Sequence, residues 1–304
     1  MATNKWRGDY LARAQVVTLV VGSATSGHTF VTTINGKSVT VTAGTGETTS
    51  TVASAIQAAL SAADAPEFKE VTWSVDTATV TGTAATAGVP FTVTKSGTGT
   101  YALTTITTST GPNHADEPHN WSLGALPGAG DDVVVDVPVD LLYGWENLPA
   151  AAFNSLRITA AFEANLGLPR RNPGGYAEYR QRFWALDTAV PLEIGAGDGQ
   201  GPKRCHIQID TALSAVVHKT GQRQSQNEPV VNFVGASSGT LSVASGDVGL
   251  AGDDGALACT VTTAAVDGDA TLTVGSGATA TTVNQTGGAL LGYGAVGTLN
   301  TTGG

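Results

Sequence analysis

The sequence contains few charged residues, few aromatic residues and one methionine, which is the first residue. Asp, Glu, Lys and Arg make up 13% of the chain, about half their share in an average soluble domain. Aromatic residues account for 6%. Helices favour Glu, Lys, Leu and Arg, whereas Thr, Val and Gly take the place of these residues here. Because 41% of the residues are hydrophobic, a disordered chain is disfavoured as well. The composition predicts a mainly β protein.

The chain has no run of four basic residues and no long apolar stretch near its start. Its formal net charge is −10, whereas phosphate binding needs clustered Lys and Arg. We therefore expect neither nucleic acid nor membrane as a partner. The apolar stretch 16–21 is far too short for a membrane span, and residues 1–14 lack the apolar core of a secretory signal. The sequence predicts a protein that is made in the cytoplasm.

Cysteine is also scarce, and the common catalytic motifs are missing. Cys205 and Cys259 are too few for a disulfide framework. Two buried free thiols are the favoured prediction, with a single bridge as the alternative, and His206 is interpreted as a core residue beside Cys205. No glycine-rich phosphate loop, nucleophile elbow or metalloprotease motif occurs. These absences predict a protein that is not an enzyme, with no catalytic residue, cofactor or metal.

Threonine is abundant instead, and 22 of the 44 threonines lie in the first hundred residues. Residues 29–34 and 37–42 alternate between apolar and polar on either side of Asn35-Gly36. Asn and Gly both tolerate the positive φ angles of a type I′ turn. The pattern therefore predicts a β-hairpin.

A helix and further strands are predicted after the hairpin. Val52, Ile56 and Leu60 recur at helical spacing after a run of threonines, which predicts a helix up to Ala63. Three later segments alternate and are predicted strands: 71–75, 77–83 and 90–94. Together these elements predict a small N-terminal α+β module, an antiparallel sheet with one helix, over residues 15–110. An N-terminal arm, 1–14, precedes it.

A polar segment bracketed by prolines, 111–120, predicts a linker between domains. Short strands separated by turn residues then predict a β-rich central domain over 121–238. Charged and aromatic residues concentrate at 163–184, which predicts a surface elaboration. This composition is typical of an interface hot spot, and a helix or loop that covers one end of the β-solenoid is the alternative. The candidate interface residues, two of them in the N-terminal arm, are Trp6, Tyr10, Arg170, Arg171, Tyr176, Tyr179, Arg180, Arg182, Phe183 and Trp184.

The region 239–304 has short strands punctuated by glycine and contains an internal repeat. Segments 281–288 and 297–304 align at a spacing of 16, which places Asn284 over Asn300. A repeat of this length predicts a β-solenoid, or β-helix-like region, in which each rung stacks on the one before. Such a stack has an open edge after its last rung, and we expect another subunit or a further part of the chain to cover it.

Two acidic pairs follow glycines in predicted turns, Asp131-Asp132 and Asp253-Asp254. Paired carboxylates act as acid and base in glycosidases, but neither pair has an aromatic sugar platform nearby in the sequence. Solvated turn aspartates are therefore the favoured interpretation.

Two further patterns resemble incomplete metal sites. Asp267 and Asp269 lack the third ligand and the terminal glutamate of a calcium loop. His114 and His119 have ligand-like spacing, but no second cluster completes a zinc site. Loop and linker roles are favoured for both pairs.

The segment from 30–39 (FVTTINGKSV) through the predicted helix to Val93 resembles a small module of tailed-bacteriophage virion proteins, where a sheet with one helix serves in tail and fibre components. The Gly- and Thr-rich rungs after Gly239 are similar to the shafts of phage fibres and spikes, which are commonly homotrimers. The region 121–238 has no recognisable signature. The resemblance implies a virion structural protein of the fibre, spike or decoration type, with its own copies and other virion proteins as partners.

Two alternatives stay open beside this interpretation. A tailspike that binds or cleaves host surface glycans would carry its site on the solenoid face or at 163–184, although the long rungs and acidic-aromatic groove of a cleaving spike are not evident. A secreted bacterial adhesin would have a similar composition, but the missing signal peptide counts against it. The resemblance implies a location in the virion after synthesis in the host cytoplasm.

Overall fold

The computed structural model describes residues 2–148, 153–186, 190–225, 228–252 and 255–302. Over these residues the chain is mainly β, as its composition predicts, with a single α-helix, α1 (Thr49–Ala62). The strands are β1 (Thr3–Lys5), β2 (Val16–Val21), β3 (Thr29–Ile34), β4 (Lys37–Thr42), β5 (Val71–Asp76), β6 (Thr79–Ala84), β7 (Val93–Ser96), β8 (Tyr101–Thr107), β9 (Asp132–Val135), β10 (Ser155–Thr159), β11 (Asn165–Leu166), β12 (Trp184–Leu186), β13 (Leu192–Ala196), β14 (Arg204–Ile209), β15 (Ala212–Val217), β16 (Val231–Val234), β17 (Ser238–Leu250), β18 (Cys259–Val274), β19 (Ala278–Gln285), β20 (Ala289–Gly292) and β21 (Ala295–Thr301). Short 3₁₀ helices occupy Pro66–Glu70, Pro118–Asn120 and Trp145–Asn147.

The chain forms two compact units. Unit 1 comprises Met1–Tyr10, Pro112–Arg170 and Gln181–Gly304. Unit 2 comprises Leu11–Gly111 and Arg171–Arg180. The segment Arg171–Arg180 therefore belongs to the same unit as the N-terminal strands and helix, although the whole of Pro112–Arg170, which belongs to unit 1, separates the two in the sequence.

Unit 2 contains two antiparallel sheets, of strand order β5-β6-β2-β8 and β4-β3-β7. The hairpin predicted at Asn35-Gly36 is present, because β3 and β4 pair in register across it. Asn35 and Gly36 have φ angles of 49° and 70°, which these two residue types tolerate. Strand β8 was not among the predicted strands, and it pairs with β2.

Helix α1 begins with a capping box. The Thr48 side chain accepts a hydrogen bond from the Thr51 backbone N–H at 3.2 Å, and the Thr51 hydroxyl accepts one from the Thr48 N–H at 2.9 Å. These bonds satisfy two donors that a helix start otherwise leaves unpaired. The buried face of the helix carries Val52, Ile56 and Leu60, the residues whose spacing predicts it.

Unit 1 contains a 14-stranded sheet in which every pairing between named strands is parallel. One ladder joins β1, β9, β10, β13, β15, the first halves of β17 and β18, β19 and β21. A second ladder joins β11 and β12 to β14, and then β16, the second halves of β17 and β18, and β20. Because β17 and β18 belong to both ladders, the sheet curls, which is compatible with a β-helix-like region.

The 16-residue repeat found in the sequence is also the pairing register. In the first ladder Val283 is the partner of Leu299, and Asn284 is the partner of Asn300. The Asn300 side-chain amide donates a hydrogen bond to Asn284 Oδ1 at 2.8 Å. The previous rung is longer, because Thr263 is the partner of Thr282.

The parallel sheet is more extensive than the sequence predicts. It is not confined to 239–304, since its first ladder begins at β1 and β9. The N-terminal arm is not a free arm: β1 pairs in parallel with β9 over Thr3 to Lys5. Equivalent inward positions of successive strands stack, and a column of such residues, all buried, forms the core: Val133, Leu156, Leu192, Ala215, Leu241, Ala264 and Val283.

Candidate functional site

Three of the candidate interface residues are buried inside unit 1. Trp6 is 1% exposed and packs edge-on against Trp121, with ring centroids 5.1 Å apart. Trp184 is likewise 1% exposed and stacks on Trp145 at 5.1 Å. Phe183 is also buried. These aromatic side chains fill the interior of unit 1, so they do not form a surface in the folded chain.

Three other candidates are held within unit 2 by one carboxylate. They lie in the segment Arg171–Arg180, which we call the strap. Tyr176 donates a hydrogen bond to Glu70 Oε1, and Tyr179 donates one to Glu70 Oε2 at 3.3 Å. Arg180 Nη2 lies 2.5 Å from Glu70 Oε2. Glu70 itself was not predicted, because nothing local in the sequence connects it with residues more than a hundred positions away.

Arg180 is the centre of this cluster. Its side chain is 7% exposed and pairs with Glu178 at 3.0 Å, whose side chain is 1% exposed. Arg180 Nε also donates to the Pro90 carbonyl at 2.7 Å. Burial by itself would lower the pKa of Arg180, but the surrounding anionic groups, Glu178 and Glu70 among them, raise it above its ordinary value. Ion pairs between Arg180 and the two glutamates therefore hold the strap in place within unit 2.

The remaining candidates are less buried. Tyr10 stacks on His119 with ring centroids 4.9 Å apart. Arg170 and Arg171 are exposed, and Arg171 donates to the Gly175 carbonyl at 3.2 Å. The Arg182 guanidinium lies 5.1 Å from the centroid of the neighbouring aromatic ring. On the folded chain, the exposed residues of the predicted interface are therefore Arg170 and Arg171, and Tyr10 is half-buried.

The histidines of the predicted linker have local partners. His114 is buried, with Nδ1 3.4 Å from Asp116 Oδ1. His119 is exposed, and its Nδ1 lies 2.6 Å from Glu117 Oε1. Across the described part of the chain, no three His, Cys, Asp or Glu residues come together in a way that could hold a metal ion. The structure therefore offers no ligand set around these histidines.

The first acidic pair shapes a turn. Asp131 Oδ2 accepts a hydrogen bond from the Gly128 N–H at 2.9 Å. Asp132 Oδ1 accepts from Asn154 and Ser155 at 2.6 and 2.7 Å, which lowers the pKa of Asp132. The second acidic pair, 253–254, lies outside the described residues. In the calcium-like segment, Asp267 accepts a hydrogen bond from the Thr286 hydroxyl. Asp131, Asp132 and Asp267 thus have structural partners.

Cys205 and Cys259 are free and buried, as predicted. Burial raises the pKa of Cys205 above its ordinary value and that of Cys259 to about 12. A thiolate is the reactive form of cysteine, so neither thiol is suited to act as a nucleophile.

His206 is completely buried next to Cys205. One ring nitrogen, Nδ1, lies 3.0 Å from the Leu168 carbonyl and donates to it, and the ring stacks on Phe183 at 4.8 Å. Burial, followed by the positive charges of Arg204 and Arg182, lowers the pKa of His206 well below its ordinary value. The folded chain therefore holds this imidazole in its neutral form.

We expect acid to destabilise unit 1 through His206. The unfolded chain binds a proton with a pKa near 6.5, while the folded chain resists protonation, so the stabilisation is complete above that pH and is lost as the pH falls below it. The loss can reach about 1.4 kcal/mol per pH unit. Urea unfolding of the wild type between pH 7 and 5 measures it. His206→Asn, which keeps a donor for Leu168, should reduce this dependence, whereas exposed His119→Asn should not. Equal pH slopes in wild type and His206→Asn would contradict the assignment.

The outward face of the first ladder is charged near its N-terminal strands. Lys5 pairs with Asp136 at 3.0 Å, and Arg157 pairs with Glu193 at 3.0 Å. These ion pairs border an open trough of about 650 Å³ on strands β1, β9 and β10. Lys5, Asp136 and Arg157 thus have ionic partners, whereas Asp132 and Asp198 also line the trough and add negative charge to it.

A second groove, of about 570 Å³, lies between the loops that follow β13 and β15. Hydrogen bonds hold both loops in place. The Gln200 backbone N–H donates to Glu163 Oε1 at 2.9 Å, and Arg223 Nε donates to Asp247 Oδ2 at 2.7 Å. The residues lining it are polar, charged or glycine: Glu163, Gln200, Gly201, Lys203, Gly221, Gln222, Arg223 and Gln224. Amide, carboxylate and ammonium groups of this kind bind hydroxyl-rich ligands by hydrogen bonding.

The last rung is the most exposed part of the parallel sheet. Leu299 continues the inward column of the first ladder, yet it is 49% exposed. Leu291 and Tyr293, in and after β20, are 39% and 72% exposed. Among the described residues, no strand pairs with the outer edge of β20 or β21. This rung therefore combines exposed apolar side chains with unpaired backbone groups.

Comparison with known proteins gives no relative: no family model matches the chain, and no curated protein is significantly similar to it. In the described part of the chain, no helix is long and apolar enough to cross a membrane. The interpretation of function therefore depends on the fold and the surfaces described above.

Proposed function

We propose that this chain is a structural component of a tailed-bacteriophage virion, a fibre, spike or decoration subunit. It would associate as a homotrimer, attach to other virion proteins by its N-terminal part, and project a β-solenoid outwards. It would act as an assembly protein and not as an enzyme.

The observation that carries the proposal is the continuous parallel register from β1 to β21. Each rung of such a stack adds backbone hydrogen bonds and buried apolar contacts to its neighbour, so the element gains length and stability together. A projecting shaft needs this property. The low charge of the sequence also suits it, because stacked like charges would repel one another.

The second support comes from unit 2. It combines antiparallel strands with one helix, α1, and the tail-protein module that the sequence resembles is also built from antiparallel strands and one helix, although in a single sheet. The ion pairs of the buried Arg180 with Glu178 and with the half-buried Glu70 hold a segment that is distant in the sequence within this unit. A unit fixed at several points of the chain would transmit load in a particle.

Antibodies raised against the purified chain test the proposal on phage particles from bacterial cultures that produce this chain. We expect immunogold at a fixed position on tailed particles purified by density gradient, and the chain itself in their protein profile. Particles that lack the chain, while the same lysate contains it in soluble form, would overturn the proposal.

A polar groove favours a second candidate, the binding of a host surface glycan. The groove around Lys203 and Gln222 presents amides and charges to solvent on braced loops. Binding of host capsular polysaccharide or lipopolysaccharide to the purified chain, lost in Lys203→Ala and retained in exposed Lys37→Ala, would favour this candidate.

A further inference from the structure

We propose that Asn35 is a site of spontaneous deamidation, and that the carboxylate formed there breaks the contact between the β3–β4 hairpin and Glu67. The structure would thus contain a one-way chemical change that weakens unit 2. This inference goes beyond the proposed virion role and does not depend on it, because it concerns the chemistry of a single turn.

The turn between β3 and β4 presents the reacting groups of this modification. Asn35 is the only asparagine in the sequence that a glycine follows. Deamidation begins when the backbone nitrogen of the following residue attacks the side-chain carbonyl carbon, and a Cβ on that residue hinders the attack. Gly36 has no Cβ, is exposed, and is so open that an added Cβ would meet nothing within 4 Å. Among the described residues, no hydrogen bond uses the Gly36 N–H, so this nitrogen is accessible.

The reaction has two steps and consumes one water molecule. In the first step, the Gly36 nitrogen forms a bond to Asn35 Cγ, and the bond from Cγ to Nδ2 breaks. The proton of the Gly36 N–H passes through solvent to the leaving nitrogen, which departs as ammonia and leaves a succinimide ring. In the second step, water adds to one of the two ring carbonyls and opens the ring. The product is aspartate, or isoaspartate with the backbone running through Cγ.

Glu67 is the residue through which this change acts on the fold. It lies in the 3₁₀ helix Pro66–Glu70 and is 1% exposed. Its Oε1 accepts a hydrogen bond from Asn35 Nδ2 at 2.8 Å, and its Oε2 is buried without a hydrogen-bond partner among the described residues. The Asn35 amide is therefore the one described donor to this buried carboxylate, and a buried acceptor that loses its donor destabilises the fold.

Deamidation replaces this donor with a second carboxylate. Two acceptor oxygens would then face each other at hydrogen-bonding distance, and two like charges this close in a buried site repel each other strongly. Isoaspartate also adds one carbon to the backbone between Ile34 and Lys37, the pair that closes the hairpin. Both products therefore weaken the attachment of the hairpin to the 3₁₀ helix, and the loss of ammonia makes the change irreversible.

Peptide mapping by mass spectrometry tests whether Asn35 reacts in the folded chain. The purified 304-residue chain is held at mildly alkaline pH, and aspartate and isoaspartate are measured at every asparagine. We expect Asn35 to convert before all others. Asn154 is the internal control, because its amide also donates to a carboxylate, Asp132 Oδ1 at 2.6 Å, but a serine follows it. An Asn35 that stays intact in the folded chain, while it converts in urea, overturns the proposed site.

Hydrogen exchange of Asn35→Asp tests the effect on unit 2. We expect exchange in β3, β4 and the 3₁₀ helix Pro66–Glu70 to be at least about tenfold faster than in the wild type. Glu67→Gln should remove most of this difference, because its amide can donate to the new carboxylate. Asn154→Asp, which places a carboxylate against Asp132 at an exposed contact, is the matched control and should leave exchange in unit 1 close to the wild-type rate.

A variant that fails to fold does not prevent the decision. If Asn35→Asp is unfolded, the aged wild type and the double variant Asn35→Asp with Glu67→Gln provide the comparison. Wild-type exchange rates in Asn35→Asp, or the same acceleration with and without Glu67→Gln, overturn the proposed effect on Glu67. Detection of the chain on phage particles, or its absence from them, changes none of these results, so failure of the virion role and failure of this inference are distinguishable.

Discussion

Replacement of Arg180 by methionine is expected to destabilise unit 2 by about 3–5 kcal/mol. The change removes the cation that Glu178 and Glu70 both contact, at 3.0 and 2.5 Å. The Glu178 side chain is 1% exposed, so water cannot replace the lost partner. A buried carboxylate without a counter-ion must either stay charged in a poor solvent or take up a proton, and both cost free energy.

Hydrogen exchange measured by mass spectrometry localises this effect. We expect the substitution to speed exchange, relative to the wild type, in β5, β6 and the strap, which all belong to unit 2. The strands of unit 1 should exchange at the wild-type rate. Arg157→Met is the matched control, because Arg157 makes an ion pair of similar length with Glu193 in which both side chains are more than 40% exposed. Exposed pairs contribute about 0–1 kcal/mol. Similar losses for the two variants would show that the strap is not held by its charges.

Gly195→Ala is expected to destabilise unit 1 by about 3 kcal/mol or more. Gly195 is the extra residue where β13 shifts register against β10, and its φ angle is +74°. A Cβ at this position would lie 1.9 Å from the Lys219 carbonyl oxygen, a backbone atom of the next rung. The alanine therefore adds backbone strain and forces adjacent rungs apart.

Gly197→Ala separates these two contributions. Gly197 has a φ angle of +88°, but a Cβ there would meet nothing within 4 Å. We therefore expect it to lose only about 1–2 kcal/mol, the cost of a left-handed conformation for a non-glycine residue. Thermal unfolding of the two variants, followed by circular dichroism, gives the comparison. If Gly197→Ala is as damaging as Gly195→Ala, the close approach of the rungs is not what requires glycine.

Local patterns in the sequence predicted the elements whose contacts are close in the chain. The Asn35-Gly36 hairpin needs only its own turn and flanking strands, and α1 needs only its cap and the spacing of Val52, Ile56 and Leu60. The 16-residue repeat predicted the register of β19 and β21 because a short rung leaves the repeat visible. Where rungs are longer and unequal, as between β10 and β13, the sequence shows no repeat.

The site predictions were limited for the same reason: a local pattern does not show contacts between residues that are far apart in the sequence. Tyr176, Tyr179 and Arg180 stand out in the sequence because charge and aromatics are rare, but their composition suits an interface between chains as well as one inside a chain. Only folding shows that they meet Glu70 within unit 2. Trp6 and Trp121 are a similar case, more than a hundred residues apart and in edge-on contact.

The sequence by itself determined that the chain is mainly β and that its C-terminal region is uncharged and repetitive, and it favoured free, buried cysteines over a bridge. These properties depend on composition and on short periods. The tertiary structure decided which rungs join, because a parallel pairing connects residues that are separated by a whole rung and carries no local signal. It also decided that the strap belongs to unit 2 and that Trp6 and Trp184 are buried inside unit 1, since burial is a property of neighbours in space.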